Sequence, residues 1–142
     1  MKNLLFKIPY IESTWQNISV LFLRFAIGLS MAFGHGMGKI PPSEGFIKGV
    51  GGMGFPAPAV FAWAAGISEF FGGLLIAIGL LTRPSAFFGA VTMFVAFFIR
   101  HADDPFGRKE KALLYLVIFV FLMVTGPGKY SLDERINKKL FL

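Results

Sequence analysis

Residues 57–81, "APAVFAWAAGISEFFGGLLIAIGLL", contain a single ionisable side chain, Glu69. A helix of that length and oiliness spans the roughly 30 Å hydrocarbon core of a bilayer. Three further apolar runs accompany it, at residues 17–38, 84–100 and 111–126. Charged residues make up 15% of the chain and 18 residues are Phe, whereas soluble domains average about 25% charged. None of the runs offers the continuous polar face that a soluble bundle helix turns to water. The expected fold is therefore all-α: a polytopic transmembrane four-helix bundle with short connections, one domain over residues 1–142. The last two runs are short for a span and rely on Arg100 and Lys111 to snorkel at their ends.

Tight turns such as "LLTRPSA" make neighbouring spans antiparallel, and four spans bring both termini to one side. Lys2, Lys7, Arg83, Lys129, Arg135, Lys138 and Lys139 then lie on the terminal side, against Lys39, Lys48, Arg100, Arg108, Lys109 and Lys111 on the other. The slight excess favours cytoplasmic termini. The formal charge of +6 does not indicate nucleic acid, because the basic residues sit between apolar runs and in the tails, with no recognition-helix or zinc-finger pattern. Anionic lipid headgroups account for them, and the partner this composition requires is the lipid bilayer.

The N-terminal "MKNLLFKIPYIESTWQN" reads as an interfacial segment. The first run reads as an uncleaved span, since it contains Arg24 and no small-residue cleavage site follows. "GKIPPSEGFIKGVGGMGFPAP" is the longest connection. Its prolines and glycines predict a pliable, turn-rich loop. Without a preceding strand or a GK[ST] ending, it does not make a phosphate-binding loop. Further on, Gly126-Pro127-Gly128 stop the last span, and Ser131 is placed to cap a short surface helix.

The polar residues within the apolar runs carry the chemistry. Ala65, Glu69, Gly73 and Ala77 form one stripe of the second run, and Arg24, Gly28, Ala32 and Gly36 one stripe of the first. Small residues let helices approach closely, so Glu69 is expected to face protein. Facing lipid, a mid-helix carboxylate costs about 2.5–3.5 kcal/mol. Its expected partner is Arg24: on antiparallel spans the two differ by about 9 Å of rise, which opposed long side chains can bridge. His35, Lys39, Arg100 and His101 approach the opposite boundary. With no HExxH, no ExxH pair and no cysteine, these histidines make no recognisable metal site. The lack of cysteine also excludes a disulfide framework and a CxxC pair, leaving any redox chemistry to a bound cofactor or a partner. The expected site is an amphipathic cavity between the first two spans, floored near Arg24 and Glu69 and open toward His35, Lys39 and His101.

In order along the chain, "LRFAIGLSMAFGHGMGK", "GFPAPAVFAWAAGISEFFGGLLIAIGLLTRPSA", "FFIRHADDPF" and "GPGKYSLD" together resemble the DoxX family of small bacterial membrane proteins. The likeness covers about residues 17 to 133. The family's polar marks fall on Arg24, His35, Gly36, Lys39, Glu69, Gly72, Gly73, Gly79, Thr82, Arg83, Gly126, Pro127, Gly128, Ser131 and Asp133. The resemblance implies a four-helix protein of the bacterial plasma (inner) membrane. The family takes its name from a link to a membrane thiosulfate:quinone oxidoreductase, and other members are associated with redox and oxidative-stress systems.

Three function classes stay open. In a redox-associated subunit, a quinone would be surrounded by Arg24, His35, Lys39, Glu69 and His101, with Arg24 or His35 donating to a quinone oxygen and Glu69 handling a proton. The electron source would be a redox protein partner, because the chain has no haem or iron–sulfur ligation signature. A non-catalytic membrane scaffold, working through self-association or a partner, explains the glycine stripes without chemistry. A small transporter is the third class.

Overall fold

The structure, a computed structural model, describes residues 13–141. The expected interfacial segment therefore lies mostly outside the described residues. All regular structure among them is helical. Helix α1 (Thr14–Met31) runs on through a π-helical turn (Ala32–Gly36) and a 3₁₀ turn (Met37–Lys39). It is followed by α2 (Glu44–Gly52), α3 (Pro58–Ile78), α4 (Thr82–Val95, prolonged by a second π turn, Ala96–Arg100), α5 (Phe106–Thr125) and α6 (Leu132–Phe141). Helix α1 packs on α3, α3 on α4, α4 on α5, and α2 on α3.

Three stretches are long and apolar enough to cross a membrane: Thr14–Lys39, Pro58–Ile78 and Thr82–Arg100. Helix α5 has 20 residues, but Arg108, Lys109, Glu110 and Lys111 crowd its first two turns. The burial pattern is that of a protein solvated by lipid. The core is narrow, built from residues such as Met31, Ile76, Ala86, Phe119 and Leu122. Large side chains including Phe22, Phe25, Trp63, Phe71 and Phe98 point outward. In water that distribution would forfeit most of the hydrophobic stabilisation. The chain is an all-α polytopic membrane protein.

The small-residue stripes meet as their spacing suggests, and they close completely. A Cβ on Gly28 would come within 2.5 Å of the Gly73 carbonyl oxygen, and one on Gly73 within 2.7 Å of the Gly28 carbonyl oxygen. A Cβ on Gly36 would land on the Phe70 backbone nitrogen. Close backbone packing of this kind is what holds helices together where lipid competes for every apolar contact. The expected cavity between α1 and α3 is absent at these contacts for the same reason.

The longest connection departs from the loop expectation, since it contains α2. Four glycines in nine residues argue against a helix by propensity. Packing and capping override that. The Ser43 hydroxyl accepts the Phe46 N–H at 3.2 Å, Glu44 sits in the first turn, and Val50 is buried.

The turn between α3 and α4 is stitched to the C-terminal segment. Gly79 ends α3 in the left-handed region at φ 72°, and Leu81 follows at φ 48°. Asp133 holds this conformation: its carboxylate accepts the Leu81 N–H at 2.8 Å and the Thr82 N–H at 3.0 Å, and its own N–H donates to the Gly79 carbonyl at 2.8 Å. Ser131 Oγ accepts the Glu134 N–H at 3.1 Å, capping α6 as its position implied.

Candidate functional site

Helices α2, α3 and α4 enclose a cavity of about 530 Å³. Its walls are largely apolar, with Phe46, Val50, Phe61, Phe88 and Val91 among them. Into this surface project Lys39, Ser68, Glu69, Thr92, Arg100 and His101. Glu69 is 2% exposed. It lies 11 positions into the 21-residue α3, halfway along the span.

Lys39 reaches Glu69 from the end of α1. Its Nζ is 2.6 Å from both Oε1 and Oε2, and it sits 5.4 Å from the centre of the Phe46 ring on α2. Helix α1 stops well short of the start of α3. A Cβ on Gly66 would lie 2.7 Å from the Lys39 carbonyl oxygen, so the chain leaves α1 level with the third turn of α3. This short stop places an ammonium beside a mid-span carboxylate. Two of the three Lys39 N–H groups serve Glu69, and one remains for another acceptor. The Thr92 and Ser68 hydroxyls meet at 3.3 Å, tying α4 to α3 along the cavity wall.

At the mouth, His101 Nδ1 lies 2.6 Å from Asp104 Oδ2, and Arg108 Nη1 lies 3.6 Å from Asp104 Oδ1. The hydrogen bond with His101 holds the Asp104 carboxyl below its ordinary range against the opposing effect of desolvation, and the charges of Arg108 and Arg100 add to the lowering. Among the described residues, no three His, Asp or Glu side chains converge as a metal site.

Of the five residues singled out in the sequence, the structure brings Lys39, Glu69 and His101 to one cavity. His35 is directed elsewhere. Its ring meets Tyr115 of α5 edge-on at 5.4 Å and lines a separate groove with Lys111. His35 lies within the π turn (Ala32–Gly36), and Lys39 ends the 3₁₀ turn (Met37–Lys39) that follows it. Neither turn keeps α-helical register, so the four-residue spacing does not put the two side chains on one face.

Arg24 lies at the other end of the bundle. It is wholly buried. Its Nη2 donates to the Tyr130 carbonyl, and a Cβ on Gly79 would collide with its Nη1. Gly79 is ten residues, or about 15 Å of rise, beyond Glu69 on α3, and the closed Gly28–Gly73 contact lies between. The expected Arg24–Glu69 pair does not form. The carboxylate that acts electrostatically on Arg24 is Asp133. Nearby, Asn17 Oδ1 accepts the Lys129 N–H at 2.8 Å, so this end is a polar clasp between α1, the α3–α4 turn and the C-terminal segment. Sequence reasoning assigned Asp133 and Tyr130 no partner; the signal available was the "GPGKYSLD" motif itself.

A family model described as DoxX matches residues 19–102. The chain belongs to the DoxX family. Among its DoxX-related matches, "Inner membrane protein YqjF" of Escherichia coli is 33% identical over 133 residues, covering 87% of this chain and 96% of that protein. "Putative oxidoreductase CatD" of Bacillus subtilis is 33% identical over 122 residues, covering 85% and 89% respectively. No solved structure matches. The segment matched to the DoxX model runs from α1 to just past His101. It includes Lys39, Glu69 and His101, whereas the 126–133 part of the clasp lies beyond it.

Proposed function

We propose that this DoxX protein is a redox-associated subunit of the bacterial inner membrane that receives the headgroup of a lipid-soluble quinone in the α2–α3–α4 cavity and works with an electron-transferring partner. The observation carrying the reading is the Lys39–Glu69 pair on the wall of a largely apolar cavity about 530 Å³ in volume, a size ordinary for small-molecule sites. Apolar walls suit a ring, and the remaining Lys39 N–H and the Ser68 hydroxyl supply donors for carbonyl oxygens. Phe88 and Val91, which line the cavity, are also exposed on the lipid-facing surface, so an isoprenoid tail has a lateral way out. A quinone, when bound, supplies two-electron, two-proton carrier chemistry. Glu69 is positioned to accept or return a proton within the cavity, and Lys39 to orient its carboxylate. The names of YqjF and CatD agree with a membrane location and a redox association.

In this reading α5 is the fourth span, with Lys111 and its basic neighbours at the membrane surface. The termini are cytoplasmic and the cavity mouth is periplasmic. The chain contains no cysteine, so single-cysteine variants at Lys48, Arg108 and Lys129 can be labelled directly in intact cells. The first two should react with an impermeant maleimide and the third should not. Labelling of all three from one side would remove the fourth span.

The binding test is titration of the purified protein, in lipid nanodiscs, with a short-chain quinone analogue. Saturable binding is expected, weakened at least tenfold by Glu69→Leu and little by Phe94→Leu, whose side chain lies outside the cavity lining. Gly49→Leu gives a second arm. A Cβ there meets nothing within 4 Å, and Gly49 lines the cavity, so the added side chain fills the space without a backbone clash. Folded protein with no saturable binding would favour the scaffold reading, for which the closed α1–α3 contact is sufficient.

A further inference from the structure

The groove that holds His35 shares no lining residue with the quinone cavity. It lies between α1 and α5, encloses about 540 Å³, and is lined by Ile27, Ser30, His35, Lys111, Leu114 and Ile118 among others. Its polarity is graded along the helices. Lys111 and His35 stand at the end nearer the 101–105 connection. Ile27 and Ile118 lie deeper, the latter about 10 Å below Lys111 by helical rise.

Two further observations mark the groove as built for an occupant. Gly34 is part of its lining, and a Cβ there would meet nothing within 4 Å. Unlike Gly28 and Gly36 on the same helix, this glycine is not required by helix contact. Lys111 is exposed and has no ion-pair or hydrogen-bond partner among the described residues. An unpartnered ammonium thus overhangs an apolar trough that runs between α1 and α5.

We propose that the α1–α5 groove binds one anionic phospholipid, its phosphate between Lys111 and His35 and an acyl chain laid along Gly34, Ile27, Leu114 and Ile118. A basic rim above an apolar slot between membrane helices is the chemistry that selects acidic headgroups. A zwitterionic ethanolamine lipid brings its own ammonium to a site that already has one. The inference takes α5 as a span from the proposed topology and is independent of quinone binding. The cysteine-labelling test establishes or removes that span by itself.

The experiment is native mass spectrometry of the full chain, extracted from membranes into mild detergent and titrated with phosphatidylglycerol or phosphatidylcholine of matched acyl chains. The expected result is one retained phosphatidylglycerol, preferred several-fold over phosphatidylcholine. Lys111→Gln should lower that preference about fivefold, the effect of one lysine at a headgroup. Gly34→Leu should reduce retention of both lipids by filling the slot. Lys109→Gln, whose side chain donates to the Ala102 carbonyl at 3.0 Å outside the groove, should leave the preference unchanged. Equal retention of the two lipids by the unmodified protein overturns the proposal. So does an equal effect of Lys109→Gln and Lys111→Gln, which would reveal diffuse charge in place of a site, or unaltered retention in Gly34→Leu.

Discussion

Removing Glu69 should damage the protein through Lys39, and not through Arg24. The carboxylate is 2% exposed and the Lys39 side chain 30% exposed, with Nζ 2.6 Å from both oxygens. At an effective dielectric of about 20, charges that close attract by roughly 6 kcal/mol gross, and desolvation of both groups offsets much of it. Deleting one member of a buried pair costs about 3–5 kcal/mol because the other is stranded. Lys39 keeps some solvent or headgroup access, which lowers the expected coupling to about 2–3 kcal/mol. A double-mutant cycle with Lys39→Leu, Glu69→Leu and the pair measures it, using reversible unfolding in mixed detergent micelles. The pair should be less damaging than the two singles added together by that amount. A parallel cycle with Arg24→Leu should be additive with Glu69→Leu to within about 0.5 kcal/mol. Additivity in the first cycle, or strong coupling in the second, would refute the pairing deduced from the geometry.

Other outcomes follow from the same contacts. Asp133→Ala should cost about 2–4 kcal/mol in the same unfolding assay, since it strands the Leu81 and Thr82 N–H groups and takes the nearest carboxylate from Arg24; Asp133→Asn should recover part of this. Gly28→Ala and Gly36→Ala should each destabilise by several kcal/mol or prevent folding, because the added methyl meets backbone. Gly38→Ala, with nothing within 4 Å, should be tolerated in a thermal-stability comparison. Since the Asp104 carboxyl is held below its ordinary value, its link to His101 contributes stability that is present above the ordinary carboxylate range and is lost as pH falls through the lowered value. Amide exchange in the 101–104 turn should quicken over that acidic window, and Asp104→Asn should abolish the dependence.

The sequence revealed the interface more readily than the pairings. Small residues four apart on two apolar runs locate the α1–α3 contact, and the stripe that Glu69 shares with Gly73 turns it toward protein. That inference needs only helical periodicity, which is local. The partner of Glu69 was not legible because it depends on where α1 changes pitch. His35 falls inside a π turn, Ala32–Gly36, and Lys39 ends the 3₁₀ turn that follows, a change of pitch that no propensity rule announces. Helix α2 was hidden by its glycines, whose intrinsic cost is offset only once Ser43 caps the helix and Val50 finds α3. Periodicity cannot name the partner of Arg24 either. Its hydrogen-bond acceptor, the Tyr130 carbonyl, is 106 positions away in the chain, and a backbone carbonyl has no residue-type signature.

The mid-span position of Glu69 also gives the carboxylate an electrical address. Eleven residues from the start of α3 correspond to about 16 Å of rise, half of a hydrocarbon core roughly 30 Å thick. A proton travelling from the α2 side to this carboxylate traverses about half of the transmembrane voltage, worth about 1 kcal/mol per 100 mV. Water in the cavity would shorten that electrical path, and an apolar occupant would restore it. The early end of α1, which brings Lys39 to this depth, thereby places both members of the pair within the field across the membrane.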